Sequence, residues 1–578
     1  MCGLFGVAGV ANFDKEKALR SLHLLEHRGP DQHNSWSSDS VFMGHQRLSI
    51  LDLSEQGRQP MSDLGVVITV NGEIYNYISL REELSDKYSF KSDSDSEVVL
   101  YGYIEWGIET LLNRIEGMYA ISIFDSNLDQ VFLARDRVGI KPLYYSMIND
   151  GLTWASELKC LKEYYGEDLL EQDQTALYDF LTYLYIPAPK TLYKNVHKLE
   201  PAHYISVCLK SMNYTKVKYW NLQVKNIPIS EEKAKQKLRE LITKSVNEQL
   251  ISDVPVGFFL SGGMDSSAVV ASAAELIDNI NTYSIGFDDS NHDETHFAEI
   301  VANQFKTNHN KKLLDKDTTK KIFHKLKDWY DEPFGDTSAF PTFLVSKFAK
   351  ADSTVVLTGD GGDEVFGGYK WYRSFVRFRR FSMHKVLNCM LPFSYKLKDK
   401  VSSRFFKKLV DRFQLEFMLT DLELYTKLMG GLISEEKSKY ARKWGIPEDY
   451  DDYWYFRKHY DLDLPVLTRL QYMDFNTYLP DDILTKVDRV SMAVSLECRV
   501  PLLSTDIIEF SFSLPENIRY LNGELKGVLK ESFRGTLADE IIDREKKGFS
   551  IPSASWKSTI YNQELNRQEN LLNVFINN

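Results

Sequence analysis

Val256 to Ser267 reads VGFFLSGGMDSS: a compact apolar run, a glycine-serine turn and the start of a helical stretch. Glycines in such a turn let backbone N–H groups face phosphate oxygens. Ser261, Ser266 and Ser267 add hydroxyl donors, and the helix that follows adds its positive end. Asp265 would repel phosphates unless a divalent cation lay between them, which points to Mg²⁺. The chain has no GxxxxGK[ST], so a P-loop NTPase is excluded.

The neighbouring sequence repeats this rhythm. Ser230 with Glu231 and Glu232 suits a helix start. Ala234, Leu238, Leu241, Ile242 and Val246 then recur at helical spacing. Thr282 to Phe287 (TYSIGF) reads as a strand. Val355 to Leu357 reads as another, just before a second glycine-rich turn, TGDGGDE from Thr358 to Glu364. Strands alternating with helices predict a mostly parallel, doubly wound sheet. From about Phe375 the pattern is mainly helical.

Toward the N-terminus the pattern changes. Val66 to Asn71, Ala120 to Phe124 and Gln130 to Ala134 read as strands, and Leu19 to His27 as a helix, which suggests layered α+β packing. Residues 191–229 read as a connector carrying a small hairpin (HYISVCLK, then KVKYWNL). There is no internal repeat and no long low-complexity linker.

With 578 residues the chain is long enough for more than one domain. Its net charge of -12 argues against general binding to nucleic acid or an anionic membrane. The basic-aromatic stretch KWYRSFVRFRR, Lys370 to Arg380, reads as a helix with buried rings and a solvated basic face. Five dispersed cysteines with no CxxC pair exclude a zinc ribbon or disulfide framework and fit a reducing cytoplasm. No run is long enough to span a membrane, and MCGLFGVAGV lacks the basic flank of a signal peptide.

Cys2 follows the initiator methionine. Once that methionine is removed, a thiol and a free α-amine share one residue. The amine, with a pKa of about 7.7–8.0, can act as base for its own thiol. Four segments follow in order: MCGLFG at Met1–Gly6, HRGPD at His27–Asp31, HQRLSI at His45–Ile50 and NGEIYN at Asn71–Asn76. Together they resemble the glutaminase domain of the N-terminal-nucleophile amidotransferases. The resemblance implies a four-layer αββα sandwich over residues 2–190. It also implies Cys2 as nucleophile, with Asn71 and the Gly72 N–H as oxyanion donors. Arg47 would meet the α-carboxylate of glutamine, and Glu73 and Asp95 its ammonium. Asp93 replaces a glycine usual in the Gly-Ser-Asp form of that last motif. His27 and His45 read as structural.

The SGGMDSS turn resembles the pyrophosphate loop of the N-type ATP pyrophosphatases, which implies ATP as substrate. Further stretches resemble asparagine synthetase: DEPFGD (Asp331–Asp336), DILTKVDR (Asp482–Arg489), SLECRVP (Ser495–Pro501) and KKGFSIP (Lys546–Pro552). That family implies a synthetase domain over 230–578. ATP would be held by Leu260, Ser261, Gly262, Gly263, Asp265, Ser266, Ser267, Ile285, Thr358, Gly359 and Asp360, and Mg²⁺ by Asp265 and Asp363. Lys526 would stabilise charge during adenylation and ammonia attack. Asp360 stands where short relatives carry glutamate, and Lys530 where arginine is frequent.

The implied reaction moves ammonia from glutamine to an adenylated carboxylate. Aspartate is the expected acceptor, and a homodimer the expected assembly. The alternative is the same mechanism on a sugar acid or peptide, in a surface-polysaccharide or natural-product pathway. A non-catalytic binding protein would not need Cys2, Asp265 and Asp363 together. A tRNA-thiolating relative would want paired cysteines and a basic groove.

Overall fold

A computed structural model of the chain describes residues 2–9, 13–287, 293–314, 322–323, 325–381, 419–545 and 567–576. The KKGFSIP motif and Cys389 lie outside them.

Two six-stranded sheets build the N-terminal part. In spatial order one runs Val196–Lys198, Tyr144–Ile148, Gly151–Ala155, Gly3–Ala8, Val41–Arg47, Gln32–Ser37. The other runs Tyr214–Lys218, His203–Cys208, Gln130–Arg135, Gly117–Asp125, Val66–Ile74, Met61–Asp63. Their alternation sets the layers, because successive strand residues point to opposite faces. Leu4, Met43, Val67, Ala120, Leu133 and Ile205 pack together between the sheets. Phe5, Val7 and Phe42 face outward against helix Lys15–His23 and helix Leu158–Tyr165. Ile68, Val70, Ile121 and Ile123 face helix Ser96–Arg114 on the other outer side. The result is the αββα sandwich.

Two local readings are corrected. The first helix spans Lys15–His23 rather than starting at Leu19, because Asp14 accepts from the Lys17 N–H and caps it four residues earlier. Residues 191–229 are more than a connector. Val196–Lys198 extends one N-terminal sheet, and the hairpin His203–Cys208 with Tyr214–Lys218 extends the other. Such short strands lean on partners some fifty to seventy residues earlier, and nothing local marks those partners.

The second part holds a five-stranded, all-parallel sheet: Asn308–Leu314, Asn281–Phe287, Val256–Phe259, Val355–Leu357, Glu497–Arg499. Strand order reverses between Val256–Phe259 and Val355–Leu357. In open α/β sheets that switch, at the carboxyl ends of the strands, is where ligands sit. Both glycine-rich turns leave the sheet at this point. Helix Glu231–Gln249 forms as expected, with Ser230 at its N-cap position but making no side-chain capping bond. Helix Lys370–Phe381 buries Tyr372 and Phe375 and exposes Arg373 and Arg377, as the amphipathic reading requires. No described helix is long and apolar enough to cross a membrane.

One apolar cluster joins the two parts. It takes Leu48, Ile50, Met118 and Ile140 from the sandwich and Leu260, Met264, Val500 and Leu502 from the sheet domain.

Candidate active sites

Cys2 lies at the start of strand Gly3–Ala8, and Asn71 lies on the facing sheet. Strand alternation turns Asn71 inward with Val67, across from Cys2. The Cys2 backbone nitrogen donates to Asn71 Oδ1 at 2.9 Å. Asn71 is fully buried, and its Nδ2 has no partner among the described residues. A buried amide donor left open beside a sulfur is what a developing oxyanion needs. Gly72 comes next, and only glycine fits: a Cβ there would lie 2.0 Å from the Met118 carbonyl. Burial pushes the Cys2 thiol up. Burial thus favours the thiol form, whose proton a nucleophilic role would hand to a base.

His45 cannot be that base. It is buried, contacts the Val70 carbonyl at 3.0 Å, and burial lowers it to about 3. His27 pairs with Glu157 at 3.2 Å. Each ring is tied to a fixed partner in the fold.

Arg47 is buried, and its two Nη groups hold Gln32 Oε1 (2.8 Å) and the carbonyls of Ser54 (3.2 Å), Leu51 (2.9 Å) and Asp52 (2.6 Å). Most of its fork is engaged in shaping the 51–54 loop. The Asp93 substitution leaves the adjacent loop closed. Asp93 N–H donates to Asp52 Oδ2 at 2.9 Å, and Asp95 Oδ2 accepts from Ile74 N–H at 2.7 Å. A cavity of ≈ 390 Å³ opens at the domain junction, between Gln32, Leu48 and Ser49 on one side and Val254, Lys350 and Thr354 on the other. Leu48 lines it, and the carbonyl of this residue is 4.0 Å from Cys2 Sγ.

Glu73 and Asp95 are both buried, and a third carboxylate, Glu497, is buried near them. Burial, then Glu497 and Asp95, push the Glu73 carboxyl well above the usual range. Burial raises Asp95 as well. Three carboxyls buried this close together, with Arg499 paired to Glu497 and near Glu73, form an acidic pocket of the kind that suits an ammonium ligand.

Sequence reading missed the residues behind Cys2. Arg28 is fully buried and donates through Nε to the Cys2 carbonyl at 3.0 Å. Its Nη atoms bond Glu157 at 2.8 Å and Asp488 at 2.8 and 3.0 Å. Asp488 belongs to the sheet domain, on helix Thr485–Met492. Next to it Arg489 reaches Glu157 at 3.0 Å and pairs with Asp331. Burial would raise Glu157, but Arg489, His27 and Lys159 hold it well below the carboxylate range. The motifs HRGPD, DEPFGD and DILTKVDR thus meet in one buried ion network across the domain junction. Their order in the sequence was visible; this contact was not.

At the sheet's switch point the two turns pack through glycine. A Cβ on Gly359 would lie 2.6 Å from the Ser266 nitrogen, and one on Gly362 would lie 2.6 Å from Asp265 Oδ1. Gly262 takes a φ of +66° and lies against residues 297–298. Ser261 and Ser266 hydroxyls meet at 3.1 Å, and Ser261 Oγ accepts from Gly263 N–H at 3.2 Å. The Ser267 hydroxyl is buried without a partner among the described residues. Leu260 and Ile285 are buried beside the turn, and Asp360 N–H donates to Thr358 Oγ1 at 3.3 Å.

Lys526 joins this site from a segment some 160 residues later. Its Nζ bonds Asp265 and lies 2.5 Å from Asp363 Oδ1. Burial alone would lower the ammonium, but the two carboxylates reverse that and push it up. Lys530 instead turns to Glu524 at 2.5 Å. Asp265 and Asp363 form a two-carboxylate oxygen donor set beside N–H-rich turns. That set fits Mg²⁺, which takes one or two carboxylates plus phosphate oxygens. No group of three or more metal-ligating side chains occurs among the described residues.

A family model described as Asparagine synthase matches residues 237–572, and one described as Glutamine amidotransferase domain matches residues 1–220. The chain is 33% identical to Bacillus subtilis asparagine synthetase [glutamine-hydrolyzing] 1, covering 97% of this chain and 89% of that protein. It is 34% identical to a putative asparagine synthetase [glutamine-hydrolyzing] 2 of Methanocaldococcus jannaschii, covering 85% and 98%. A putative asparagine synthetase of Mycobacterium tuberculosis is 31% identical over 96% and 88%.

Proposed function

Because the chain belongs to the asparagine synthase family, we propose that it makes asparagine from aspartate with glutamine as nitrogen donor and ATP as driving force. The observation that carries this reading is the pair of sites on one apolar junction: Cys2 with Asn71 on one side, Asp265, Asp363 and Lys526 on the other.

In the first half-reaction Cys2 attacks the side-chain amide of glutamine. Its α-amine takes the thiol proton, and Asn71 Nδ2 and the Gly72 N–H receive the oxyanion. Glu73 and Asp95 hold the substrate ammonium, and the loop braced by Arg47 receives its carboxylate. Ammonia leaves, and water later frees glutamate from the thioester.

In the second, the turns 261–267 and 358–360 cradle the phosphates of ATP. Asp265 and Asp363 would hold Mg²⁺, which offsets charge on the departing pyrophosphate. The aspartate carboxylate attacks the α-phosphorus, giving an acyl-adenylate, and Lys526 stabilises the charge that develops there. Ammonia attacks the acyl carbon and AMP leaves. Ammonia must stay unprotonated between the sites. The apolar cluster running from Leu48 and Ile50 to Leu260 and Met264 supports a dry route. On family grounds the enzyme is a cytoplasmic homodimer.

The test is a product assay with glutamine, Mg-ATP and aspartate. The expected products are asparagine, glutamate, AMP and pyrophosphate. ADP with orthophosphate as primary products would overturn the reading. Cys2→Ala should abolish glutamine use and spare synthesis from added ammonium.

A further inference from the structure

The nucleotide turn and the glutamine pocket are connected by a single residue. Strand Glu497–Arg499 pairs in parallel with Val355–Leu357, the strand that feeds the 358–364 turn. At its end the Arg499 carbonyl accepts from Thr358 N–H at 2.9 Å, bracing the first residue of that turn. The Arg499 side chain points the other way, into the glutaminase half. Its Nε donates to Glu497 at 2.7 Å, and its Nη1 donates to the carbonyls of Gln249 and Ile251, both at 2.7 Å. The remaining nitrogen, Nη2, lies 3.4 Å from Glu73 Oε2 and makes no hydrogen bond among the described residues. The guanidinium also sits over the Tyr75 ring at 5.9 Å. Arg499 is almost wholly buried.

We propose that Arg499, supplied by the synthetase domain, is a positioning residue for glutamine recognition: it holds the Glu73 carboxyl in place so that Glu73 can meet the substrate ammonium. The proposal rests on the glutaminase reading above. Glu73 follows the Asn71–Gly72 pair on the same strand, so its placement is tied to the oxyanion donors. Its surroundings work against its charge, with Glu497 and Asp95 both close and water excluded. Arg499 is a cation that opposes them, lowering Glu73 from 3.4 Å away, although burial and the two carboxylates still prevail. Its planar fork serves Glu497, two carbonyls and Glu73 at once, which a lysine cannot do. The glutamine pocket is therefore incomplete without the synthetase strand Glu497–Arg499.

The experiment measures glutamine hydrolysis and ammonium-driven synthesis side by side in the full-length enzyme and its Arg499→Lys and Arg499→Met variants. Arg499→Lys is expected to raise the glutamine KM about ten-fold while leaving kcat within about two-fold, the loosening of one buried ion contact. Arg499→Met should raise KM further. Ammonium-driven synthesis, which needs no glutamine pocket, should keep its rate and its KM for ATP in the lysine variant. An unchanged glutamine KM in Arg499→Lys overturns the proposal. So does a parallel fall of both activities with a lower melting temperature, which would mean a purely structural arginine. A wild-type enzyme that does not hydrolyse glutamine would sink the glutaminase reading itself, a separate failure.

Discussion

Removing Arg28 should cripple glutamine use while leaving the ATP half working, and Asp488 should matter only through Arg28. The guanidinium makes one bond to the Cys2 carbonyl and three to the carboxylates of Glu157 and Asp488, all in complete burial. A hydrogen bond from a charged donor contributes about 1.5–3 kcal/mol, so Arg28→Met should lower glutaminase kcat/KM roughly ten- to a hundred-fold. It also leaves Asp488 buried without its cation, a loss of about 3–5 kcal/mol if Asp488 stays charged. Replacing Asp488 as well removes that stranded charge. Arg28→Met with Asp488→Leu should therefore be more stable than Arg28→Met alone, with no further loss of glutaminase activity. The assay is a double-mutant cycle on glutaminase kcat/KM, with ammonium-driven synthesis as the control for folding. If the two single effects simply multiply in the double variant, Asp488 acts independently of Arg28 and the relay to Cys2 does not exist.

Three further outcomes follow from the geometry. Gly72→Ala places a methyl group 2.0 Å from the Met118 carbonyl, so strand Val66–Ile74 must separate from Gly117–Asp125; glutaminase activity should be lost and the sandwich destabilised by about 2 kcal/mol or more, read by thermal melting. Lys526→Met leaves Asp265 and Asp363 facing each other without their ammonium, and should cut ATP-dependent synthesis by about 10²-fold or more with glutamine hydrolysis largely intact, read by pyrophosphate release. The pH dependence has a fixed sign: burial and neighbouring carboxylates raise Glu73, and burial raises Asp95, so these groups take up protons above the ordinary carboxylate range. Glutamine ammonium binds their charged forms, so the glutamine KM should rise as pH falls through the raised values, and binding near them should release protons; a KM flat from neutral to mildly acidic pH would contradict this.

Much of both sites could be read from the sequence because each lies within short motifs. Cys2, Asn71–Gly72–Glu73 and Asp95 were marked by the ordered resemblance of their segments to the glutaminase family rather than by their own chemistry. The 261–267 and 358–363 turns announce themselves by glycine after an apolar strand. What could not be read is long-range pairing. The αββα layers depend on strand Gly3–Ala8 meeting Val41–Arg47 and Gly151–Ala155, and no periodicity encodes that register. The hairpin within 191–229 was legible, but its pairing with Gln130–Arg135 was not. Arg28, Asp488 and Arg499 sat inside recognised motifs without a visible task, because their partners lie on the other domain, for Arg28 and Asp488 460 residues apart.

Those three residues also bear on why the two halves are fused in one chain. A buried ion pair repays its desolvation only when geometry is tight and every lone pair is met, and breaking it leaves a charge stranded. The junction here contains Arg28 with Asp488, Arg489 with Glu157, and Arg499 near Glu73, all buried. Parting the domains would expose or strand each of them, so the junction is held as part of the fold rather than formed anew in each cycle. The same side chains touch the Cys2 carbonyl and the ammonium pocket. A shift of helix Thr485–Met492 or strand Glu497–Arg499 on the ATP side must then be felt at the thiol. Ammonia released at a site disconnected from the adenylate would be wasted. An interface of charges that penalises disconnection, wrapped by an apolar cluster that excludes water, is a physical way to keep release and capture in register.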